Sequence, residues 1–245
     1  MKKAMMFLAC ISVISVSGGQ TVQSHNDYKR GEPFWDAYLS GAGIMEAYLW
    51  LRDGSIVVCH NRSGISRAPL FEELYVEKLG LPGIDRDDLL IMCELKSPDV
   101  MEPLAELLAS RPDIFGTGKV EVIISGQRPG KGSFDNYPAY IWFDGRFEED
   151  YSETEIKRVR FISGHVRKFG RRNGKEYSRC TGNSLSGIIA DRHSAGLEVR
   201  FWGTKDNRST WKRLRNLGVD VINTDKPARC SAFLSSLSTD DSPCR

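Results

Sequence analysis

Residues 89–96 read LLIMCELK. The run is apolar until its end, where Glu94 and Lys96 stand two apart. Side chains alternate along a strand, so these two share a face. A charge on the inward face of an apolar strand is costly unless it is paired or used. The run therefore predicts a strand whose carboxyl end carries function. Runs of similar kind recur on both sides of it, over 21–25, 43–51, 55–60, 119–125, 139–143, 159–163, 197–202 and 219–223. Between them helical spacing appears over 33–40, 70–79, 100–110, 184–195, 210–217 and 228–237. Strand then helix, repeated, implies a parallel sheet with helices outside it. A mature chain of about 225 residues in this rhythm suits a single-domain α/β (β/α)8 TIM barrel over 20–245 better than two domains, with a doubly wound open sheet as the competing layout.

The ends of the chain set its context. Lys2 and Lys3 precede an apolar run over 4–17, followed by Gly18 and Gly19. That is the layout of a secretory signal peptide over residues 1–19, and it implies an exported protein, periplasmic or secreted. Leu8-Ala9-Cys10 also resembles a lipobox, so lipid anchoring through Cys10 is the alternative. The run is too short to span a bilayer, and no later stretch is long and apolar enough to do so.

The whole chain of 245 residues carries 34 Lys and Arg against 32 Asp and Glu, a net charge of +2, and its mean hydropathy is -0.35. Without Lys2 and Lys3 the balance is 32 against 32. Such a chain lacks the basic excess that a nucleic-acid binder needs, and its apolar content excludes disorder as its main state. Five cysteines remain after the leader: Cys59, Cys93, Cys180, Cys230 and Cys244. No CxxC occurs, so metal-type and redox-type spacing is absent. Cys59 and Cys93 are expected as small core residues, and a Cys230–Cys244 bridge is permitted rather than indicated. The basic, turn-rich stretch over 167–183 reads as a surface loop.

Four histidines exist, His25, His60, His165 and His193. His25 closes the first strand. His60 closes the return strand after the Asp53-Gly54 turn signal. Glu46 lies in the second strand, and Glu94 and Lys96 in the next. His165 and His193 read as surface residues. Two imidazoles can exchange protons near neutral pH, carboxylates suit a hard divalent cation, Mg²⁺ or Ca²⁺, and a lysine suits a phosphoryl oxygen. The set describes phosphate-ester cleavage, and equally lyase or sugar chemistry, for which Glu46 and Glu94 would be the acid and base pair. Arg200 and Trp202, two apart, are candidate contacts for a phosphate oxygen and for a sugar or lipid headgroup. Gln127, Arg128, Asp144 and Asp225 also follow or end strands. Asp225 is equally suited to cap the helix after Pro227.

Residues 24–60, from SHNDY to VVCH, resemble the opening of the glycerophosphodiester phosphodiesterase and phosphatidylinositol-specific phospholipase C-like superfamily. They are most similar to a branch with an HNDY motif that includes a fungal protein of mitochondrial inheritance. Further similarity runs through FEELY (71–75), CELK (93–96), VEVIISGQRP (120–129), FDGR (143–146), GLEVRFWGT (196–204) and GVDVINTD (218–225). The resemblance implies a β/α barrel and metal-assisted cleavage of a small or lipid-headgroup phosphodiester. His25 and His60 would be the acid and base. Glu46 and Glu94 would hold the metal, with Lys96 the neighbouring basic residue. Three departures stand out. Tyr48 replaces the aspartate of the metal motif E-x-D, and a phenol is a poor ligand for these ions. Asn26 replaces an arginine, as in the HNDY branch, and Asn61 an aspartate. Asn26, also a candidate substrate contact, or water is expected to fill the gap. A barrel that lost its metal with Tyr48 and now binds a ligand without turnover is the alternative function.

Overall fold

The computed structural model describes residues 19–84, 89–169 and 184–237. The leader expected over 1–19 lies, apart from Gly19, outside them. So do Cys10, Cys180, Cys244 and most of the basic stretch over 167–183.

Nine strands run in chain order: β1 Thr21–Ser24, β2 Ile44–Arg52, β3 Ser55–Val58, β4 Leu89–Leu95, β5 Val120–Gly126, β6 Ile141–Arg146, β7 Val159–His165, β8 Glu198–Trp202 and β9 Val221–Thr224. Eight of them are parallel, and the sheet closes because β1 pairs with both β9 and β2. That closure makes the single-domain TIM barrel and excludes the open doubly wound sheet. β3 stands apart: its strand partner is β2, antiparallel, and on its other side Val57 makes a single antiparallel bridge to Leu70. Asp53 and Gly54 join the two with φ of 51° and 80°, the left-handed pair that a two-residue hairpin demands.

The helices are α1 Pro33–Leu39, α2 Glu77–Leu79, α3 Met101–Ala109, α4 Pro112–Phe115, α5 Glu153–Ile156, α6 Leu185–Ser194, α7 Arg208–Asn216 and α8 Pro227–Ser235. Local sequence explains their starts. Pro33, Pro112 and Pro227 sit at first positions, where a missing N–H costs nothing. Ser184 and Asn207 accept from the backbone N–H three residues on, and Ser152 and Glu155 form a capping box. The helix expected over 70–79 is instead a π segment, Glu72–Val76, running into α2. The short helices α4 and α5 had no expectation.

β4 shows how the barrel sorts its side chains. Leu89, Ile91, Cys93 and Leu95 face outward into a large cluster with Phe71, Tyr75, Leu104 and Leu108 from the surrounding helices. Leu90 and Met92 face inward, joining Ile44, Ile123, Phe161 and Val221 in a separate cluster that fills the lumen. The next two inward positions are Glu94 and Lys96, where the strand opens to the mouth. Cys93 is buried, as expected, whereas Cys59 lies just past β3 and is only half-buried. Among the described residues Cys59, Cys93 and Cys230 form no disulfide, and the permitted Cys230–Cys244 bridge involves a residue outside them. Among the described residues no helix is long and apolar enough to cross a membrane.

Candidate active site

Above the apolar plug, the inward series of each strand turns polar: Gln23 on β1, Glu46 on β2, Ser125 on β5, Asp144 on β6, Ser163 on β7 and Arg200 on β8. All are buried. They form one connected network. Arg200 Nε donates to Gln23 Oε1, Nη1 to Ser163 Oγ at 3.2 Å, and Nη2 to Glu46 Oε1 at 3.4 Å. Gln23 Nε2 donates to Glu46 Oε1 at 3.1 Å and to Met92 Sδ at 3.4 Å. Ser125 Oγ donates to Asp144 Oδ2 at 2.6 Å, and that oxygen lies 3.9 Å from Arg200 Nη1. Arg200 is only 4% exposed, so its guanidinium is shared first with the lumen wall. Burial pushes the Glu46 and Asp144 carboxyls up, and Arg200 opposes that in both.

His25 stands over this floor at the end of β1. Its Nδ1 is 2.7 Å from Asp225 Oδ1, just past β9. Its Nε2 is 2.8 Å from the Tyr48 hydroxyl and 3.6 Å from Glu46 Oε2. The neutral ring then carries its proton on Nδ1, donated to Asp225, and accepts at Nε2 from the phenol. The hydrogen bond from His25 is the largest cause holding the Asp225 carboxyl down at about 2. Asn26 adopts φ 55° and turns its amide nitrogen to Asp225 Oδ1, 2.9 Å away. Asn26, expected as a substrate contact, also lies 2.8 Å from His25 Nδ1 and helps hold the imidazole in place. Arg30 braces the same corner, donating to the carbonyls of His25 and Asp225. Asp225 was the ambiguous residue in the sequence, and its role in the structure is to orient His25.

His60 approaches from outside the barrel. It lies two residues beyond β3 in an exposed loop, with Nδ1 at 2.8 Å from Asn61 Oδ1. Tyr48 is clamped edge-on between the His25 and His60 rings, at centroid distances of 6.2 and 5.1 Å. Lys96 Nζ lies 4.1 Å above the Tyr48 ring and 2.5 Å from Glu94 Oε1. Burial pushes the Tyr48 phenol up, which keeps it a neutral donor.

The opposite rim holds a residue that the sequence reading misplaced. His165, read as a surface residue, ends β7 and lines the mouth edge-on to Trp202 at 4.4 Å. The available signal was its place four residues, two steps of the strand alternation, past the inward-facing Phe161. His193 does lie on the surface, paired with Asp220 at 2.8 Å. Trp202 is 44% exposed, so it lies at the rim rather than in the core. Arg128 is buried against the Asp144 carbonyl and Glu149, away from the mouth. One cavity of about 510 Å³ joins His25, Glu46, Tyr48, His60, Glu94, Lys96, Asp144, His165, Arg200 and Trp202. Neither Asn26 nor Gln127 is part of its lining.

A divalent cation needs several oxygen donors free to turn toward it. Glu46 is held by Arg200 and Gln23, and Glu94 by Lys96. At the third position of the motif the Tyr48 phenol is engaged with His25. Among the described residues no group of three or more His, Cys, Asp or Glu side chains is arranged to hold an ion. The donor set does not fit the Mg²⁺ or Ca²⁺ that the family resemblance implies. The same pairing leaves the sugar-cleaving reading without a free acid and base pair, since both glutamates face a cation.

Comparison with known proteins agrees with the fold. A model of the AIM6-like phosphodiesterase domain matches residues 15–82, and one of the glycerophosphoryl diester phosphodiesterase family matches residues 198–228. Altered inheritance of mitochondria protein 6 of Eremothecium gossypii is 24% identical over 275 residues, spanning 86% of this chain and 69% of that protein. A glycerophosphodiester phosphodiesterase from Parabacteroides distasonis superposes with a TM-score of 0.58 at 16% identity, covering 89% of this chain and 98% of its own. One from Agrobacterium tumefaciens gives 0.54 at 14%, covering 87% and 99%.

Proposed function

We propose that this chain, whose two ends match the glycerophosphodiester phosphodiesterase and phospholipase C-like superfamily with its AIM6 branch, hydrolyses a small or lipid-derived phosphodiester at the mouth of its barrel. The observation that carries this reading is a single cavity lined by the imidazoles of His25, His60 and His165, with Lys96, Arg200 and an exposed tryptophan.

His25 and His60 differ in their partners, and the difference suggests their roles. An imidazolium at His25 stands between the Asp225 and Glu46 carboxylates, which makes it the proton donor. His60 faces only the Asn61 amide oxygen through Nδ1, which leaves Nε2 as the acceptor. In the proposed step a hydroxyl oxygen, of water or of the substrate itself, bonds to phosphorus and gives its proton to His60. The bond from phosphorus to the leaving oxygen breaks, and that oxygen takes the proton from His25 Nε2. Water as nucleophile gives a phosphomonoester and an alcohol; a neighbouring hydroxyl gives a cyclic phosphate and an alcohol. The leaving oxygen competes with the Tyr48 hydroxyl for Nε2. Lys96 and Arg200 offset the negative charge on the phosphoryl oxygens, and Trp202 offers a flat apolar face to the alcohol part.

The test is hydrolysis of bis-p-nitrophenyl phosphate and of glycerophosphodiesters by wild type, His25→Ala and His60→Ala. Each substitution is expected to lower kcat about 100- to 10,000-fold. Rates unaltered by both would remove the two histidines from the mechanism. One observation favours a second reading, a barrel that binds its ligand without turnover: the Tyr48 hydroxyl engages the nitrogen that has to deliver the proton. Saturable binding of a glycerophosphodiester, with no product after prolonged incubation, would select it.

A further inference from the structure

We infer that Arg200 supplies, as a fixed part of the barrel, the positive charge that a divalent ion would bring, so that the mouth neither binds Mg²⁺ or Ca²⁺ nor needs them. The catalytic half of this inference rests on the phosphodiesterase reading; the binding half does not.

Each carboxylate at the mouth has an internal cation. The two terminal nitrogens of one guanidinium divide between Glu46 on β2, at 3.4 Å, and Asp144 on β6, at 3.9 Å. Lys96 covers Glu94 at 2.5 Å. Among the described residues Glu46 Oε2 and Asp144 Oδ1 are buried without a hydrogen-bond partner. A metal using either oxygen would face the same guanidinium at close range in a low-dielectric lumen, where like charges repel strongly. Displacing Arg200 is no easier. The side chain is held by Gln23, Ser163 and Glu46, and lies over the Phe161 ring at 5.8 Å. No acidic chain enters from the rim at position 48, where the phenol is turned to His25 instead.

The arginine also has capacity left for a phosphate. A guanidinium carries five N–H donors, and the three hydrogen bonds above engage one on Nε and one on each terminal nitrogen. One N–H on each terminal nitrogen remains, and Arg200 lines the cavity. A planar cation with two parallel donors suits two oxygens of one phosphoryl group. Glu46 and Asp144 then fix the guanidinium, as carboxylates fix a metal-bound group, and Lys96 adds a second charge on the opposite wall.

The experiment has two arms on the full chain. Calorimetric titration of wild type with CaCl2 and MgCl2 to millimolar concentration is expected to show no saturable binding. Tyr48→Asp alone should also fail to bind, because Arg200 remains. Adding Arg200→Met to it, with folding checked by circular dichroism, should create a calcium site from Glu46, Asp144 and the new carboxylate. Hydrolysis by wild type in EDTA should equal that in Ca²⁺ or Mg²⁺. Arg200→Met should lower kcat/KM about 100-fold or more, with no rescue by metal. Saturable binding by wild type that disappears in Glu46→Gln would overturn the inference whether or not hydrolysis is seen. Hydrolysis that requires added metal would overturn it while leaving the phosphodiesterase reading intact. No hydrolysis in any buffer, together with no metal binding, would remove the phosphodiesterase reading and leave the charge assignment standing.

Discussion

The lower and upper halves of the same lumen are built from the same strands, two residues apart, and behave as different materials. Below, Ile44, Leu90, Met92, Ile123, Phe161 and Val221 interlock as a dry plug. Above, Glu46, Ser125, Asp144, Ser163 and Arg200 occupy the next inward positions and form a hydrogen-bonded lattice. Each strand therefore switches from packing to chemistry in one step of its alternation. Stability should reside chiefly in the lower layer and activity in the upper one, because a void in the plug costs dispersion and transfer energy whereas the upper layer carries the polar groups that face the cavity.

The sharpest way to break that division is Phe161→Ala, at the boundary beneath Arg200. Removing a fully buried phenyl is expected to cost about 3–5 kcal/mol of unfolding free energy. Urea denaturation reads it directly, and a loss under about 1 kcal/mol would mean the plug is not the structural layer.

The next effect concerns a carboxyl in the turn after β1, which does not line the mouth. Asp27 is fully buried beside Ser24 and Arg30, with Oδ2 unpartnered. Burial pushes its carboxyl up to about 7, against the pull of the Ser24 hydroxyl and the Arg30 guanidinium. An unfolded aspartate titrates near 4. Between those values the folded chain holds a proton that the unfolded chain has lost, so stability falls as pH rises from about 4 through about 7. The full swing is on the order of 4 kcal/mol at most. Asp27→Asn should flatten the dependence of unfolding free energy on pH across this window. An unchanged slope would show that Asp27 stays ionised in the fold.

The smallest effect sharpens the comparison from the other side. Trp202→Ala should change unfolding free energy by no more than about 0.5 kcal/mol, because the side chain sits at the rim and is 44% exposed. It should raise KM several-fold with kcat nearly constant, as expected of a contact made equally in ground and transition states. A stability loss comparable to that of Phe161→Ala would place Trp202 in the core after all.

The layering also explains what could be read from the letters alone. β4 was legible to the residue, because an apolar run ending in Glu94 and Lys96 carries both halves of the lumen in one string. The hairpin of β2 and β3 was legible from Asp53-Gly54, whose left-handed backbone few other pairs adopt. The helix over 70–79 was legible as a helix but not as a π segment, since side-chain spacing does not report which carbonyl each N–H chooses. Within the site, His25, His60, Glu46, Glu94, Lys96, Arg200 and Trp202 were named from strand ends, and one cavity gathers them. Their pairings were not legible. Arg200 and Glu46 lie far apart in the chain, and nothing near either one states that the guanidinium lies across that carboxylate. Gln23, Ser125 and Ser163 passed as ordinary strand residues, because uncharged side chains of modest size give no signal until the barrel closes around them. His165 was misread for a related reason: a histidine before a basic loop looks like surface until the strand is known to end at the mouth.

The β2–β3 hairpin has a consequence for how such a barrel can diversify. His25 is mounted on a parallel strand with strand neighbours on both sides, whereas His60 follows a short antiparallel strand that is held by β2 on one side and by residues 69–70 on the other. The gap between the two imidazoles is thus set by one jaw inside the closed sheet and one jaw added beside it. Lengthening or tilting the added jaw would admit a bulkier ester without disturbing a single rung of the closed sheet.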